Sequence, residues 1–520
     1  MKPSIFNDVI GPVMRGPSSS HTAAAHRIGA LIRQVCNPEN GKVLVEFDRR
    51  GALATTYDGQ GSAMGLICGL LGMSILDPAV VRYKELEKEK DLNIRFDITD
   101  FEAAHPNTYK IHIENDKQEH FQFIAISTGG GMIEINSLNE FNVSIKGDYY
   151  ETLICTYNQT DTETLFQLIK NKISFSEIYL CQHGENNFLI NIKSRESILE
   201  DVNAVLAAFE NIRWFRQIDP VMPILSGINL PLPFSSVNEL LNLADQSGYD
   251  LAELAILYES TRAGIDSPKV ISLMHDIVTN IKSSIKEGLS GTSYKDRILG
   301  HQSHLISEAE KADQIFRTPM NTIIAYVTAL MEVKSSMGII VAAPTAGSSG
   351  LLGGVIFGVA EGYTDDTERI TKAFLAAGLI GIFIADKYTF AAEEGGCQVE
   401  CGAASGMAAA GLVQLMGGTA RQAINASSMA LQNMIGLVCD PVADRVEVPC
   451  LGKNILGATN ALSSANMSVA GFDPVIPLDE VIDAMKSVGE IMPPALCCTG
   501  FGGLSITPAA LKLHNKLKGN

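Results

Sequence analysis

The stretch EEGGCQVECGAASGMAAAG, residues 393–411, together with CDPVADRVEVPCLGKN, residues 439–454, sets the organisation of this chain. Glycines or prolines flank three of its cysteines, which predicts that these thiols lie at turns or element ends. A buried structural cysteine usually lies within an apolar helix or strand, whereas a metal ligand needs a fixed backbone beside an opening. The spacing lacks the close CxxC pairs of zinc sites and simple ferredoxins. It therefore leaves open a metal site, inert thiols or a redox pair at Cys397, Cys439 and Cys450.

Both segments resemble the α domain of the iron–sulfur-dependent L-serine dehydratases, including the distances between the three cysteines. The resemblance extends through APTAGSSG (343–350) and FGGLSITPAA (501–510), and it returns near the N-terminus in RGPSSSHTAAAHRIG (15–29). In that family three cysteines hold a 4Fe-4S cluster. The resemblance thus implies that Cys397, Cys439 and Cys450 are the metal ligands, and that Cys401 is a neighbour of the cluster.

The same resemblance implies a lyase that eliminates water from L-serine or a close 2-amino-3-hydroxy acid, giving a 2-oxo acid and ammonia. An open iron would act as a Lewis acid, and pyridoxal phosphate is not expected. Two other hypotheses about the function stay open. One is a desulfidase that releases sulfide from cysteine, and the other is a non-catalytic iron–sulfur ligand sensor.

The composition of the chain indicates which kinds of molecule it can bind. The chain has 520 residues, of which 46% are hydrophobic and 19% charged, so it can bury several cores. A net charge of −18 disfavours nucleic acid and anionic membrane surfaces. No signal segment or apolar run of membrane-spanning length is present, and ten cysteines are too few for a disulfide scaffold. We expect a cytoplasmic homodimer that acts on a small amino acid.

Residues 1–148 predict an α+β domain of the serine dehydratase β type. The segment RGPSSSHT leads into a helix, where hydroxyls and free backbone N–H groups can meet a carboxylate. Plain helix capping is the alternative. With the family considered, we assign substrate binding to Ser18, Ser19, Ser20, His21 and Thr22.

Two further segments resemble family segments that border the active site. HPNT gives Asn107 and Thr108 as substrate-binding residues, with His105 either catalytic or fixing a turn before Pro106. APTAGSSG either packs helices closely through its small residues or binds substrate. In the second case the binding residues are Thr345, Ser348 and Ser349.

The chain departs from the family in a glycine-rich turn. Members usually carry a His and, a few residues later, an Asp; here Gln60 and Ala63 stand at those places. Because Gln cannot take a proton, this departure leaves the substrate and the base open. The candidate catalytic residues are His21, His105 and a cysteine, Cys498. Cys497 and Cys498 stand where relatives commonly have Lys and Glu, and they are either buried thiols or a cap on the fourth iron.

The remaining chain predicts two more domains and a linker. Residues 149–219 show a βαββαβ order, which is ferredoxin-like and resembles an ACT-type regulatory domain. Residues 220–236 carry four prolines and predict a linker. Residues 237–520 predict a mostly α-helical cluster domain of the serine dehydratase α type, with amphipathic helices at 237–258, 269–287 and 318–334.

Overall fold

The computed structural model describes residues 2–226, 231–295 and 297–517, and its first module is mixed α/β. A six-stranded sheet runs in the order β3-β2-β4-β5-β6-β7, with only β2 and β3 parallel. Helices α1 and α3 pack against each other beside this sheet. The elements are β1 (Val13–Arg15), α1 (Ala24–Cys36), β2 (Lys42–Asp48), α2 (Leu53–Thr56), α3 (Ser62–Leu70), α4 (Tyr83–Glu89), β3 (Asn93–Thr99), β4 (Thr108–Glu114), β5 (His120–Gly129), β6 (Met132–Leu138) and β7 (Phe141–Ile145).

The second module confirms the predicted βαββαβ order. Its antiparallel sheet runs β11-β8-β10-β9, and its own core includes Ile154, Leu165 and Ile190. The two central strands, β8 and β10, are buried on both faces, and their short apolar runs explain why the sequence identified them as strands. The elements are β8 (Tyr150–Thr156), α5 (Gln159–Lys172), β9 (Glu177–His183), β10 (Asn187–Ser194), α6 (Leu199–Leu206) and β11 (Ile212–Ile218).

The third module is mostly helical, as predicted. In the predicted linker, the described residues form neither helix nor strand, and residues 227–230 lie outside the described residues. The elements are α7 (Val237–Ser247), α8 (Leu251–Ala263), α9 (Ser267–Ser290), α10 (Leu305–Lys311), α11 (Pro319–Ser335), β12 (Ile339–Val341), α12 (Ser349–Ala360), α13 (Thr367–Lys387), α14 (Ala392–Gly395), α15 (Cys401–Leu415), α16 (Ala420–Gln432), α17 (Cys450–Val469), α18 (Leu478–Ile491) and α19 (Pro508–Leu517).

One predicted helix is wrong in its extent. The segment 237–258 is two helices, because Gly248 adopts a left-handed φ of 74° that ends α7. Asp250 then starts α8 with a capping box to Glu253. The other two predicted helices correspond to α9 and α11, which are each extended or shifted by a few residues at their ends.

Helix α15 lies at the centre of the third module, and every one of its residues is buried. Its Gly, Ala and Ser residues let it pack against α13, α16 and α17. This burial explains why the GAASGMAAAG segment has small and apolar residues on every face of the helix rather than on one face. None of the helices in the described residues combines the length and apolar character needed to cross a bilayer.

The N-terminus ties the first module to the third. Ile5, Phe6, Val9 and Ile10 belong to the hydrophobic core of the third module. The buried Glu259 of α8 accepts hydrogen bonds from Ser4 Oγ at 2.6 Å and from Ile5 N at 2.8 Å. Strand β1 then pairs with β12. These contacts carry the chain directly from the helical core to the loop at Ser18.

A stability prediction arises where α9 crosses α11. A Cβ added at Gly288 would lie 2.3 Å from the carbonyl oxygen of Ala329, and this backbone atom cannot rotate away. We expect Gly288→Ala to destabilise the protein by about 1–3 kcal/mol, the usual cost of overpacking. Thermal unfolding should show a lower midpoint. Gly452→Ala in α17 is the matched control, because an added Cβ meets nothing within 4 Å there. Equal midpoints for the two variants would contradict the close helix crossing.

Candidate active site

The cysteine loops begin with a left-handed turn. Gly396 has a φ of 71° and presents Cys397, which lies in a short 3-10 turn before α15. The thiol of Cys397 contacts that of Cys401, the first residue of α15. Asn454 of α17 donates its Nδ2 to Cys401 Sγ at 3.6 Å. Cys401 is therefore fully packed as a neighbour of Cys397.

The second pair of thiols joins two loops that are distant in sequence. Cys439 and Cys497 form a parallel β-bridge, and Cys498 N donates to the carbonyl of Cys439 at 2.8 Å. The thiol of Cys498 contacts that of Cys439. Cys450 begins α17 and lies close enough to Cys397 for their charges to interact. The structure thus brings together the predicted cysteines and Cys498.

The electrostatics of these thiols fit a metal-binding role. Burial raises the pKa of Cys450 to about 12, so isolated thiolates are disfavoured here. Two lysines stand nearby to balance negative sulfur. Burial lowers the pKa of Lys334, but the Cys450 thiolate and Glu447 oppose this shift. Lys453 donates from Nζ to Asp440 Oδ1 at 2.8 Å, and its charge interacts with Cys397.

In the part of the chain that the structure describes, no three His, Cys, Asp or Glu side chains form a group suited to one metal ion. This finding does not conflict with the thiol contacts, because an iron–sulfur cluster is wider than a single ion and its cysteine ligands stand further apart. The donor set consists of buried sulfur from four segments, with the buried ammonium group of Lys334 and the half-buried one of Lys453 beside it, and it fits a cluster rather than a lone zinc ion.

The loop Ser18–Thr22 lies directly against the third module. Ser19 Oγ accepts a hydrogen bond from Ala346 N at 3.1 Å, which joins it to the APTAGSSG segment. Thr22 Oγ1 donates to the carbonyl of Gln60 at 3.0 Å. Ser20 is also buried. The hydroxyl-rich loop is therefore part of an enclosed interface between the two modules.

The hydrogen bonds of His21 determine its tautomer. Thr56 Oγ1 donates to the carbonyl of Ala52 at 2.7 Å, so it must accept from His21 Nε2–H, which lies 2.8 Å away. His21 Nδ1 is then the acceptor that faces Ser18 Oγ at 2.9 Å and Glu393 Oε1 at 3.6 Å. Burial lowers the pKa of His21 to about 3. It is a neutral, firmly held ring and a weak proton acceptor.

Glu393 is the second member of this contact. Its side chain is 3% exposed, and its Oε2 has no hydrogen-bond partner among the described residues. Burial, with a contribution from the Glu400 charge, raises the pKa of Glu393 to about 7. Asn107 lies beside this carboxyl, and both polar atoms of its amide are likewise without a hydrogen bond to any described residue. These atoms can accept a ligand without breaking an existing bond.

The APTAGSSG segment supplies further polar atoms. Thr345 Oγ1 donates to Glu400 Oε1 at 2.6 Å, and Ser348 Oγ donates to the carbonyl of Ala343 at 3.1 Å, so both hydroxyls are already engaged. Ser349 Oγ and Asn454 Oδ1 are buried without a partner in the described ranges. Ser349 therefore remains available to a ligand more readily than the other two predicted residues of this segment.

The HPNT turn lies at the border of the site. His105 Nε2 lies 3.0 Å from Glu394 Oε1, which bridges the first and third modules. Thr108 Oγ1 donates to the carbonyl of His105 at 2.7 Å and so stabilises its own turn. Asn107 is the residue of this segment that faces Glu393.

Two of the four positions at which the chain leaves the family pattern, Gln60 and Cys498, meet in space. Gln60 is 1% exposed and donates its Nε2 to Cys498 Sγ at 3.6 Å. Cys498 has a φ of 58°, a left-handed conformation that is strained for a residue with a side chain. Ala63 is buried in α3. Cys497 instead points its thiol at the carbonyl of Glu394, 3.8 Å away.

Sequence reasoning missed Lys334 and Glu400. Lys334 is fully buried, and its Nζ donates to the carbonyl of Val446. The available signal was a single lysine at the end of the apolar segment IIAYVTALMEVK. Glu400 directly precedes Cys401 and gave no signal beyond its position.

Comparison with known proteins identifies the family to which most of the third module belongs. Residues 246–505 match the family model of the serine dehydratase alpha chain. This chain belongs to that family. The serine dehydratase match covers α8 through the loop at Ser505, and it contains all of the clustered cysteines.

Individual relatives cover the same half of this chain. A probable L-serine dehydratase alpha chain of Bacillus subtilis is 36% identical over 287 residues, which are 55% of this chain and 96% of the relative. The L-serine dehydratase alpha chain of Peptoniphilus asaccharolyticus is 36% identical over 283 residues, 54% of this chain and 97% of the relative. The L-serine dehydratase TdcG of Escherichia coli is 33% identical over 295 residues, 54% of this chain and 63% of the relative.

Proposed function

We propose that this protein is an iron–sulfur-dependent L-serine ammonia-lyase that converts L-serine to pyruvate and ammonia. The observation that carries the proposal is the meeting of His21 with Glu393, because it joins the hydroxyl-rich loop to the segment that leads into Cys397. The named relatives are L-serine dehydratases, which favours water over sulfide as the leaving group and an enzyme over a ligand sensor.

Cys397, Cys439 and Cys450 would hold the 4Fe-4S cluster, with Cys401 packed beside it. When bound, the cluster would supply a Lewis acid that makes the substrate hydroxyl a better leaving group. Cys498 would lie beside the cluster when no substrate is bound, because its thiol contacts that of Cys439. Its left-handed backbone, with a φ of 58°, is the kind of strain that functional sites hold.

The substrate carboxylate would bind at Ser19 and Ser20, and Asn107 would orient the amino acid. These side chains lie in or beside the enclosed contact between the modules, where water is excluded and hydrogen bonds are stronger. Neutral His21 would hold Ser18 in place through Nδ1 and would lie beside Glu393 without adding a charge. Ser18, Thr22, Thr108, Thr345, Ser348 and Ser349 would shape the surrounding loops or contact substrate.

Glu393 is our proposed base, in place of His21, His105 or a cysteine thiolate. A carboxyl with a pKa near 7 and one unpartnered oxygen can take up a proton at neutral pH. It would remove the α-proton, and the C–H electron pair would form the Cα–Cβ double bond as the Cβ–O bond breaks and hydroxide leaves. The aminoacrylate then becomes an imine, which water hydrolyses to pyruvate and ammonia.

The other modules have supporting roles in this proposal. Residues 1–148 would be the β-type domain, and residues 149–219 an ACT-type domain with a structural or dimerising role. The βαββαβ order and antiparallel sheet support the ACT-type assignment. We further propose that the enzyme is a cytoplasmic homodimer.

The proposal is tested by anaerobic reconstitution with iron and sulfide, followed by assays of 2-oxo acid, ammonia and sulfide. L-serine should yield pyruvate and ammonia, and L-serine should be a better substrate than L-threonine or L-cysteine. Sulfide from L-cysteine without pyruvate from L-serine would favour the desulfidase. Iron incorporation without any turnover would favour a sensor.

A prediction follows for the glycine-rich turn in which Gln60 and Ala63 replace the family His and Asp. Gln60 bonds Cys498 and is almost fully buried, so an imidazole at this position would lose that contact. We expect Gln60→His to slow turnover of L-serine about tenfold, the effect of losing one hydrogen bond. Steady-state kinetics would measure it, with the Gln60→His, Ala63→Asp double variant as companion. Faster turnover in either variant would show that a histidine base suits this site better than the present arrangement, and unchanged rates would exclude the turn from the site.

A further inference from the structure

A cavity of about 430 Å³ lies where the N-terminal segment, the first module and the third module meet. Lys2, Asp8, Asp148 and Arg262 form part of its wall, and it reaches the His105–Glu394 pair. Its size lies within the range of small-molecule sites. Its charged groups of both signs distinguish it from an apolar packing void.

Arg262 leaves one donor group free in this cavity. Its Nε donates to the carbonyl of Lys2 at 3.1 Å, and its Nη2 donates to Ser226 Oγ at 3.1 Å. Nη1 has no hydrogen-bond partner within the described ranges, although the side chain is only 7% exposed. The carboxylate of Glu259 is 3.9 Å from Nη1 and is already engaged by Ser4 and Ile5.

Asp148 leaves an acceptor free in the same cavity. The residue is 5% exposed, and its Oδ1 has no hydrogen-bond partner among the residues described. Asp8 is near enough to interact electrostatically with both Asp148 and Arg262, but its Oδ2 accepts from Ser4 N at 2.7 Å. A buried cationic donor and a buried anionic acceptor therefore line one cavity with unused bonding capacity.

We propose that this cavity is a second binding site, which takes a free α-amino acid with its carboxylate on Arg262 and its ammonium group on Asp148. A buried polar atom without a hydrogen bond is costly, and a ligand carrying one charge would satisfy only one of the two atoms. A zwitterion satisfies both. Because the cavity reaches Glu394, beside Glu393, a bound amino acid would contact residues that border the reaction site.

Glycine is the probe, because it has both charges and no hydroxyl to eliminate. Calorimetry on the full-length protein should show glycine binding that Arg262→Gln and Asp148→Asn each weaken at least about tenfold, as expected for a lost charge-assisted hydrogen bond. Arg317→Gln is the matched control, since that side chain is 72% exposed and its ion pair with Asp313 lies at the surface. Glycinamide and acetate, which each lack one charge, should bind at least about tenfold more weakly than glycine.

Circular dichroism establishes whether each variant folds. If Arg262→Gln does not fold, the glycine affinity of Asp148→Asn tests the proposal. Unchanged glycine affinity in a folded variant, or equal binding of glycinamide, would overturn the proposal and leave the cavity as a water site. Loss of glycine binding in Glu393→Gln alone would place the ligand at the reaction site and overturn it as well. Binding requires no turnover, so the result is independent of whether the proposed lyase activity holds.

Discussion

Replacing any one of Cys397, Cys439 or Cys450 by alanine should remove most of the iron from anaerobically purified protein. Each thiol is buried in the shared cluster of loops, and three ligands leave little redundancy for holding 4Fe-4S. Turnover of L-serine should fall to background in each variant. Iron and acid-labile sulfide per chain, with the visible absorbance that air bleaches, are the measurements.

Cys68→Ala and Cys181→Ala are the controls for this experiment, because these two free thiols lie in the first and second modules. Both controls should keep the iron content of the wild type. Full iron retention in one of the three test variants would remove that residue from the ligand set. A colourless wild-type protein without iron after anaerobic purification and reconstitution would reject the cluster altogether.

Glu393→Gln should lower kcat for L-serine by roughly 10² to 10⁴, the usual contribution of a general base. The amide keeps the size of the side chain but cannot take the α-proton. Iron content should remain at the wild-type level, which separates a missing base from a missing cluster. Glu394→Gln is the neighbouring control, because that carboxyl pairs with His105 at the border of the site.

The pH profile gives a second measure of the same role. Burial raises the pKa of Glu393 to about 7, so the carboxylate that acts as base forms as the pH rises through that value. Wild-type kcat should therefore increase between about pH 6 and pH 8. The residual activity of Glu393→Gln should lack this rise. If Glu393→Gln kept the wild-type kcat and the wild-type dependence of kcat on pH, the base would be another residue.

Local patterns in the sequence predicted much of the fold. Short apolar runs in the second module identified its strands, and glycines or prolines marked the turns that present the cysteines. The helix predicted over 237–258 failed at Gly248, where a left-handed residue ends α7 although the apolar spacing continues. A periodicity argument cannot detect such an interruption when the next helix buries the same face.

The site depends on contacts that no local pattern encodes. His21 and Glu393 lie in different modules, and their pairing follows from how those modules pack. Gln60 and Cys498 looked like two separate departures from a family pattern, yet they form one contact across 438 positions. Lys334 stands at the end of an apolar helix, and only the fold shows that its ammonium group is buried beside Cys450.

The most direct test of the account follows the α-proton itself. L-serine carrying deuterium on Cα should be converted to pyruvate and ammonia by the anaerobically reconstituted enzyme more slowly than unlabelled L-serine, and the deuterium should leave the substrate. Equal amounts of pyruvate and ammonia, with a primary isotope effect on kcat/KM, are the predicted result. Absence of pyruvate from an iron-loaded protein, or pyruvate that retains the deuterium transferred from Cα to Cβ without loss, would contradict α-proton removal to a protein base with elimination of water.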